Sequence, residues 1–218
     1  MSRVRVKICG ITSTKDLQIA VDAGADAVGF VVDVPQSPRN LSINKAKEII
    51  KSAPIFVETV VVTVPKDLGH LEKIHKELNP STIQIHGLNQ RYKEIRKSLP
   101  YIHLIGAIQA EPQAANTAKE AANILDAILL DSLVSGKYGG TGITHDWKLS
   151  KLVREAIYPK PLILAGGLKP ENVKEAIQLV KPYAVDVSSG VEAKPGVKDP
   201  KKVSEFIKNA KEVEMQWN

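Results

Sequence analysis

The chain has 218 residues, 43% hydrophobic and 25% charged, with 30 Lys+Arg against 24 Asp+Glu for a formal charge of +6. That composition excludes wholesale disorder, collagen-like repeats and a membrane bundle, and no run approaches the roughly 18 apolar residues that span a bilayer. One cysteine excludes an internal disulfide framework and a multi-thiolate zinc site, while 5% aromatics and scattered lysines make a poor nucleic-acid footprint.

The N-terminal apolar stretch is too short and interrupted for a signal peptide. The expectation is therefore a cytoplasmic protein, one domain over residues 1–218, with a small-molecule partner and neither nucleic acid nor membrane. In chain order, a predicted strand at Val4–Ile8 precedes a helix near Thr14–Ala23, and Ala27–Val32 precedes one near Asn44–Lys51. Phe56–Val64 leads to Asp67–Leu78, Thr82–Ile85 to Arg91–Ser98, and Ile102–Ala107 to Pro112–Asn123. The last three pairs are Ala127–Leu130 with Lys148–Ile157, Leu162–Ala165 with Pro170–Val180, and Ala184–Val187 with Pro200–Lys211. Ser42 and Asp146 are expected to cap their helices, with Pro170 and Pro200 in first turns.

The strands are almost continuously apolar, as parallel strands buried on both faces must be. Eight strands and eight helices in strict alternation fit a single-domain (β/α)8 TIM barrel. An open doubly wound sheet is the competitor, but no Gly-x-Gly-x-x-Gly follows the first strand.

A barrel places its active site at the carboxyl ends of its strands. Cys9 and Gly10 end the first unit, Ser37-Pro38-Arg39 follows the second, and Gln84-Ile85-His86-Gly87 closes the fourth. Asp131 ends the sixth strand, ahead of Gly139-Gly140-Thr141-Gly142. Gly166-Gly167 ends the seventh, and Asp186-Val187-Ser188-Ser189-Gly190 the eighth. The amino ends offer nothing comparable. Gly140, Gly142, Gly166, Gly167 and Gly190, with the hydroxyls of Ser188 and Ser189, suit a phosphate, since glycine N–H groups approach an anion unobstructed. Tight turns alone are the plainer reading of any one of these glycines.

A lone cysteine is ordinarily a small buried hydrophobe. Strand alternation points Lys7 and Cys9 the same way, so a mouth-facing Cys9 puts Lys7 in the barrel core, where it needs a partner such as Asp186. That positive charge is expected to help lower the thiol pKa. Asp131 is either a helix or loop cap or an acid facing Cys9 across the mouth. Arg39 is either a solvated charge or a clamp for a carboxylate. His86 is either an acid/base or a histidine hydrogen-bonded to backbone.

In order along residues 5–207, the segments Lys7–Thr12, Gly24–Phe30, Ser37–Arg39, Gln84–Gly87 and Leu130–Ser132 resemble phosphoribosylanthranilate isomerase of tryptophan biosynthesis. So do Gly139–Gly142, Asp146-Trp147, Leu164–Leu168, Pro170–Val173, Asp186–Glu192 and Pro195–Asp199. The resemblance implies an Amadori rearrangement with Cys9 as general base and Asp131 as general acid. It also implies Arg39 on the anthranilate carboxylate, the phosphate on the last three loops, and His86 and Asp186 among the substrate contacts. No cofactor or metal is expected, and the chain is expected to be a monomer or homodimer. Two positions depart from the family's pattern: His145 stands where an aromatic is usual, and no glycine lies near Val61–Val62. The histidine-pathway sugar isomerase is an alternative that would want an aspartate at position 9, and a non-catalytic phosphoribosyl-binding barrel is another.

Overall fold

Residues 2–87, 91–132 and 146–215 are described in the computed structural model. Eight parallel strands are paired in sequence: β1 (Arg5–Cys9), β2 (Ala27–Val32), β3 (Glu58–Thr63), β4 (Thr82–His86), β5 (His103–Gln109), β6 (Ala127–Asp131), β7 (Leu162–Leu164) and β8 (Ala184–Val187). β1 pairs with β2 through Lys7↔Ala27 and with β8 through Lys7↔Asp186, so the sheet closes on itself as a barrel.

Around it lie α1 (Thr14–Asp22), α2 (Ile43–Ile50), α3 (Leu68–Leu78), α4 (Tyr92–Ser98), α5 (Ala114–Ala122), α6 (Trp147–Ile157), α7 (Val173–Val180) and α8 (Pro200–Lys211). Ser42 and Asp146 cap their helices by accepting from Lys45 N and Lys148 N, and Pro200 opens α8. Pro170 is not in a helix. The side chain of Asn172 accepts from Lys169 N and donates to Gly167 O, holding residues 169–172 as a turn, so α7 starts only at Val173.

Burial explains the unbroken apolar runs. Outward residues such as Val6, Ile8, Val28, Phe30, Ile83 and Ile85 pack under the helices, each contributing roughly 1.5–3 kcal/mol of burial. Inward residues Val60, Val62, Ile105, Ala107, Leu129 and Ile163 fill the lumen together with Cys9. The amino ends of the strands are not featureless: Arg5, Asp26, Glu58, His103 and Asp126 line a second cavity there. Strand residues alternate inward and outward, and a charge at a strand start satisfies backbone left open by the ladder.

Beyond the expected elements, a hairpin pairs Glu192–Lys194 with Val197–Lys198. Among the described residues no helix is long and apolar enough to cross a membrane.

Candidate active site

The cleft at the carboxyl ends is lined by Cys9, Arg39, His86, Asp131, Gly166, Gly167, Asp186, Ser188 and Ser189, with Gln84 on its floor. Most sit at or just beyond their strand's last inward position, which is why alternation located them, whereas Arg39 comes from the loop after β2 and Gln84 from one inward position deeper in β4. Gly140 and Gly142 lie outside the described residues. Gly190 does not line the cleft: a Cβ there would overlap the Leu168 carbonyl oxygen, so its missing side chain lets the loops after β7 and β8 touch. Ser188 Oγ is buried at the cleft without a partner among the described residues.

Lys7 fills the lumen beneath Cys9, only 3% exposed. Its Nζ donates to Asp186 Oδ1 at 3.0 Å and to Gln84 Oε1 at 2.9 Å. The core lysine and its aspartate therefore pair as alternation and ring closure required. With Oε1 held by the ammonium, the Gln84 amide nitrogen is the group facing His86 Nε2 at 2.9 Å, so it donates and the ring proton belongs on Nδ1. Burial first, and the charge of Lys7 second, hold the His86 pKa down to about 4. His86 is neutral at physiological pH, partnered by a glutamine side chain, and not a proton donor in the imidazolium sense.

The thiol corrects one expectation. Burial pushes the Cys9 pKa up, outweighing the lowering by Lys7 and Lys198 and adding to the effect of Asp186. A thiolate loses its hydration in the lumen, and the charge of Lys7 is already shared with a carboxylate. Cys9 rests as a thiol.

Asp131 moves in the direction a general acid needs. Burial, then the like charge of Asp186, push it up to about 6, against the pull of the Ser132 N–H and Lys7. That N–H donates to Oδ1 at 2.8 Å, a one-residue contact rather than a helix cap. Arg39 is not a solvated charge: at 8% exposure it donates through Nε and Nη2 to Glu192, both at 2.7 Å. Those bonds use one edge of the guanidinium and leave three of its five N–H groups.

Glu192 and Lys198 escaped the sequence reading. Both lie past the last strand, where a charge is ordinarily solvated, yet they are 7% and 2% exposed. Only the close spacing of Glu192 and Lys198 around Pro195-Gly196 hinted at a hairpin.

Residues 6–209 match the family model described as N-(5'phosphoribosyl)anthranilate (PRA) isomerase. The chain is 43% identical over 209 residues to the N-(5'-phosphoribosyl)anthranilate isomerase of Methanothrix thermoacetophila, covering 95% of this chain and 98% of that one. Among solved structures it superposes on the Thermotoga maritima phosphoribosylanthranilate isomerase, a dimeric protein, with TM-score 0.86 and 40% identity over 96% of this chain and 100% of that one. It also matches a phosphoribosylanthranilate isomerase in complex with reduced 1-(o-carboxyphenylamino)-1-deoxyribulose 5-phosphate, with TM-score 0.80 and 38% identity over 96% and 100%.

Proposed function

The chain belongs to the N-(5'-phosphoribosyl)anthranilate isomerase family, and from that premise we propose how its residues divide the reaction. The reaction is an aldose–ketose isomerisation of tryptophan biosynthesis, from N-(5'-phosphoribosyl)anthranilate to 1-(o-carboxyphenylamino)-1-deoxyribulose 5-phosphate. Protonating the furanose oxygen opens the ring to a Schiff base. Removing the C2' proton then gives an enolamine that becomes the ketone. The proton donor and acceptor act on different atoms, so two groups around one cleft are needed.

Asp131, with its carboxyl pushed up to about 6, is the acid for the ring oxygen, and Cys9 is the base for C2'. The observation that carries this assignment is that both open on the same cleft from strands three places apart around the ring. Because the thiol rests protonated, the working form has the proton on Asp131 and the charge on Cys9. It is the proton isomer of the form that dominates between the two pKa values. Lys7 lies against that thiolate and offsets its charge.

Gly166, Gly167, Ser188 and Ser189 hold the phosphate, Ser188 Oγ being a buried hydroxyl of a cleft-lining residue with no partner among the described residues. Arg39 holds the anthranilate carboxylate by its remaining N–H groups. His86 and Asp186 contact the ribose. No step moves a hydride or needs an electron sink beyond the imine, so the chemistry calls for no cofactor.

The chain acts as one catalytic domain in the cytoplasm, as a monomer or homodimer. Ile55 and Phe56, 81% and 96% exposed, favour the dimer, which light scattering would refute by returning the mass of one chain.

The chemical assignment is tested by loss of substrate fluorescence with Cys9→Ala and Asp131→Asn. Each is expected to lower kcat by at least ~10²-fold with the fold intact. Turnover like wild type in either variant removes that residue's role.

A further inference from the structure

Behind Arg39 lies a set of buried charges that the reaction itself does not use. Glu192 accepts from Arg39 Nε and Nη2 and, through Oε1, from Lys198 Nζ at 3.0 Å. The side chains of Arg39, Glu192 and Lys198 are 9%, 5% and 0% exposed. Lys198 Nζ also donates to the Ser188 carbonyl at 3.1 Å, so the same ammonium holds the loop after β8.

Glu192 and Lys198 face each other across the 192–198 hairpin, which the fold straps down at several points. Thr12 Oγ1 donates to Gly196 O at 2.6 Å, and Lys198 N donates to Asp16 Oδ1 at 3.0 Å. The Gly196 turn lies against Pro38, next to Arg39 in the chain. The hairpin thus reaches from the end of β8, over the β1–α1 loop, to the β2–α2 loop. Gly10 marks the crossing: its φ is +77°, and a Cβ would come within 2.5 Å of Arg39 Cδ and 2.9 Å of Ser188 Oγ. Only glycine lets the arginine pass at that point.

Burying three charges is costly unless each is paired, and here one carboxylate answers two cations. The set keeps one net positive charge at the cleft, so Glu192 holds Arg39 without cancelling it. Glu192 occupies the Nε–Nη2 edge. The end-on Nη1–Nη2 edge stays available for a second planar carboxylate. A guanidinium fixed beforehand loses little freedom when its ligand arrives.

We propose that Glu192, backed by Lys198, is a positioning residue that aims the end-on edge of Arg39 at the substrate's ortho-carboxylate, and so makes the site select an N-aryl group carrying that carboxylate. This rests on the reading that Arg39 binds the carboxylate.

The test uses two inert ligands: reduced 1-(o-carboxyphenylamino)-1-deoxyribulose 5-phosphate and its phenylamino counterpart without the carboxylate. Calorimetric Kd values are measured for wild type, Arg39→Ala, Glu192→Gln, Glu192→Asp and the Arg39→Ala/Glu192→Gln double variant, alongside KM and kcat. Glu192→Gln and Glu192→Asp are each expected to weaken the carboxylated ligand ~10-fold or more and leave the other within about twofold. KM rises in step while kcat stays within about threefold. In the Arg39→Ala background the second substitution adds nothing. Glu192→Asp keeps a charge beside Lys198 and carries the same test if Glu192→Gln does not fold.

Equal weakening of both ligands, no weakening of either, or a Glu192→Gln effect that persists without Arg39 overturns the proposal and leaves the Arg39 reading standing. If Arg39→Ala itself fails to narrow the gap between the two ligands, the Arg39 reading falls and this proposal with it.

Discussion

Two aspartates bound the same strand and meet opposite fates. Asp126 stands just before β6 and Asp131 ends it. Burial alone would raise both. At Asp126 the Leu104 N–H, at 2.8 Å from Oδ2, and the guanidinium of Arg96, at 2.5 Å, overcome it and hold the carboxyl below its ordinary value. At Asp131 burial is joined by the like charge of Asp186, and the carboxyl rises to about 6. Asp26 repeats the amino-end pattern, accepting Val6 N at 2.8 Å. Carboxylates where strands begin complete the backbone ladder. Those where strands end face an enclosed cleft and one another. The same residue type bounding one strand is an ion-paired fastener at one end and, at the other, a carboxyl that keeps its proton up to about 6.

Exchanging the two positions for asparagine separates these roles most sharply. Asp131→Asn is expected to cost at least ~10² in kcat, while Asp126→Asn keeps kcat within about twofold. Comparable losses in both would erase the distinction.

The pH profile is the next test. Below about 6 both Cys9 and Asp131 carry protons, so kcat/KM in wild type should fall roughly tenfold per pH unit there. The residual activity of Asp131→Asn should show no break near 6 and keep climbing with pH toward the raised pKa of the thiol, because Cys9 must still lose its proton.

Stability should move the other way. The folded chain binds a proton at Asp131 that the unfolded chain has released between its ordinary value of 3.8 and about 6, so stability declines as pH rises through that window. At pH 7 Asp131→Asn should therefore be more stable than wild type, by ~1–3 kcal/mol in denaturant unfolding. The depressed carboxyl of Asp126 contributes stability above its unfolded value that is lost on acidification. Asp126→Asn should lower pH 7 stability by on the order of 1 kcal/mol, reduced because the ion pair is partly exposed. No destabilisation, with Asp131→Asn also neutral, would mean that burial does not tell the two ends apart.

The barrel was legible because its signals are local. Apolar runs of strand length, Ser42 and Asp146 at helix starts and Pro200 in a first turn need no knowledge of distant residues. Alternation along β1 was enough to pair Lys7 and Cys9, and ring closure then brought Asp186 to Lys7. Pro170 misled because Asn172 binds back to Gly167 and Lys169, a choice made by one side chain in a loop. At Gly190 the sequence did not show that the missing side chain also serves the packing of two neighbouring loops.

Order and periodicity along the chain determined the cylinder and the end of it on which Cys9 and Asp131 open, since backbone hydrogen bonding and side-chain alternation repeat every few residues. The tertiary structure alone decided which way the Cys9 thiol titrates, which tautomer His86 holds, and that Arg39 is clasped by a glutamate 153 positions further on. Desolvation and ion pairing depend on what the closed ring gathers around a group, and those neighbours come from strands that are distant in the chain.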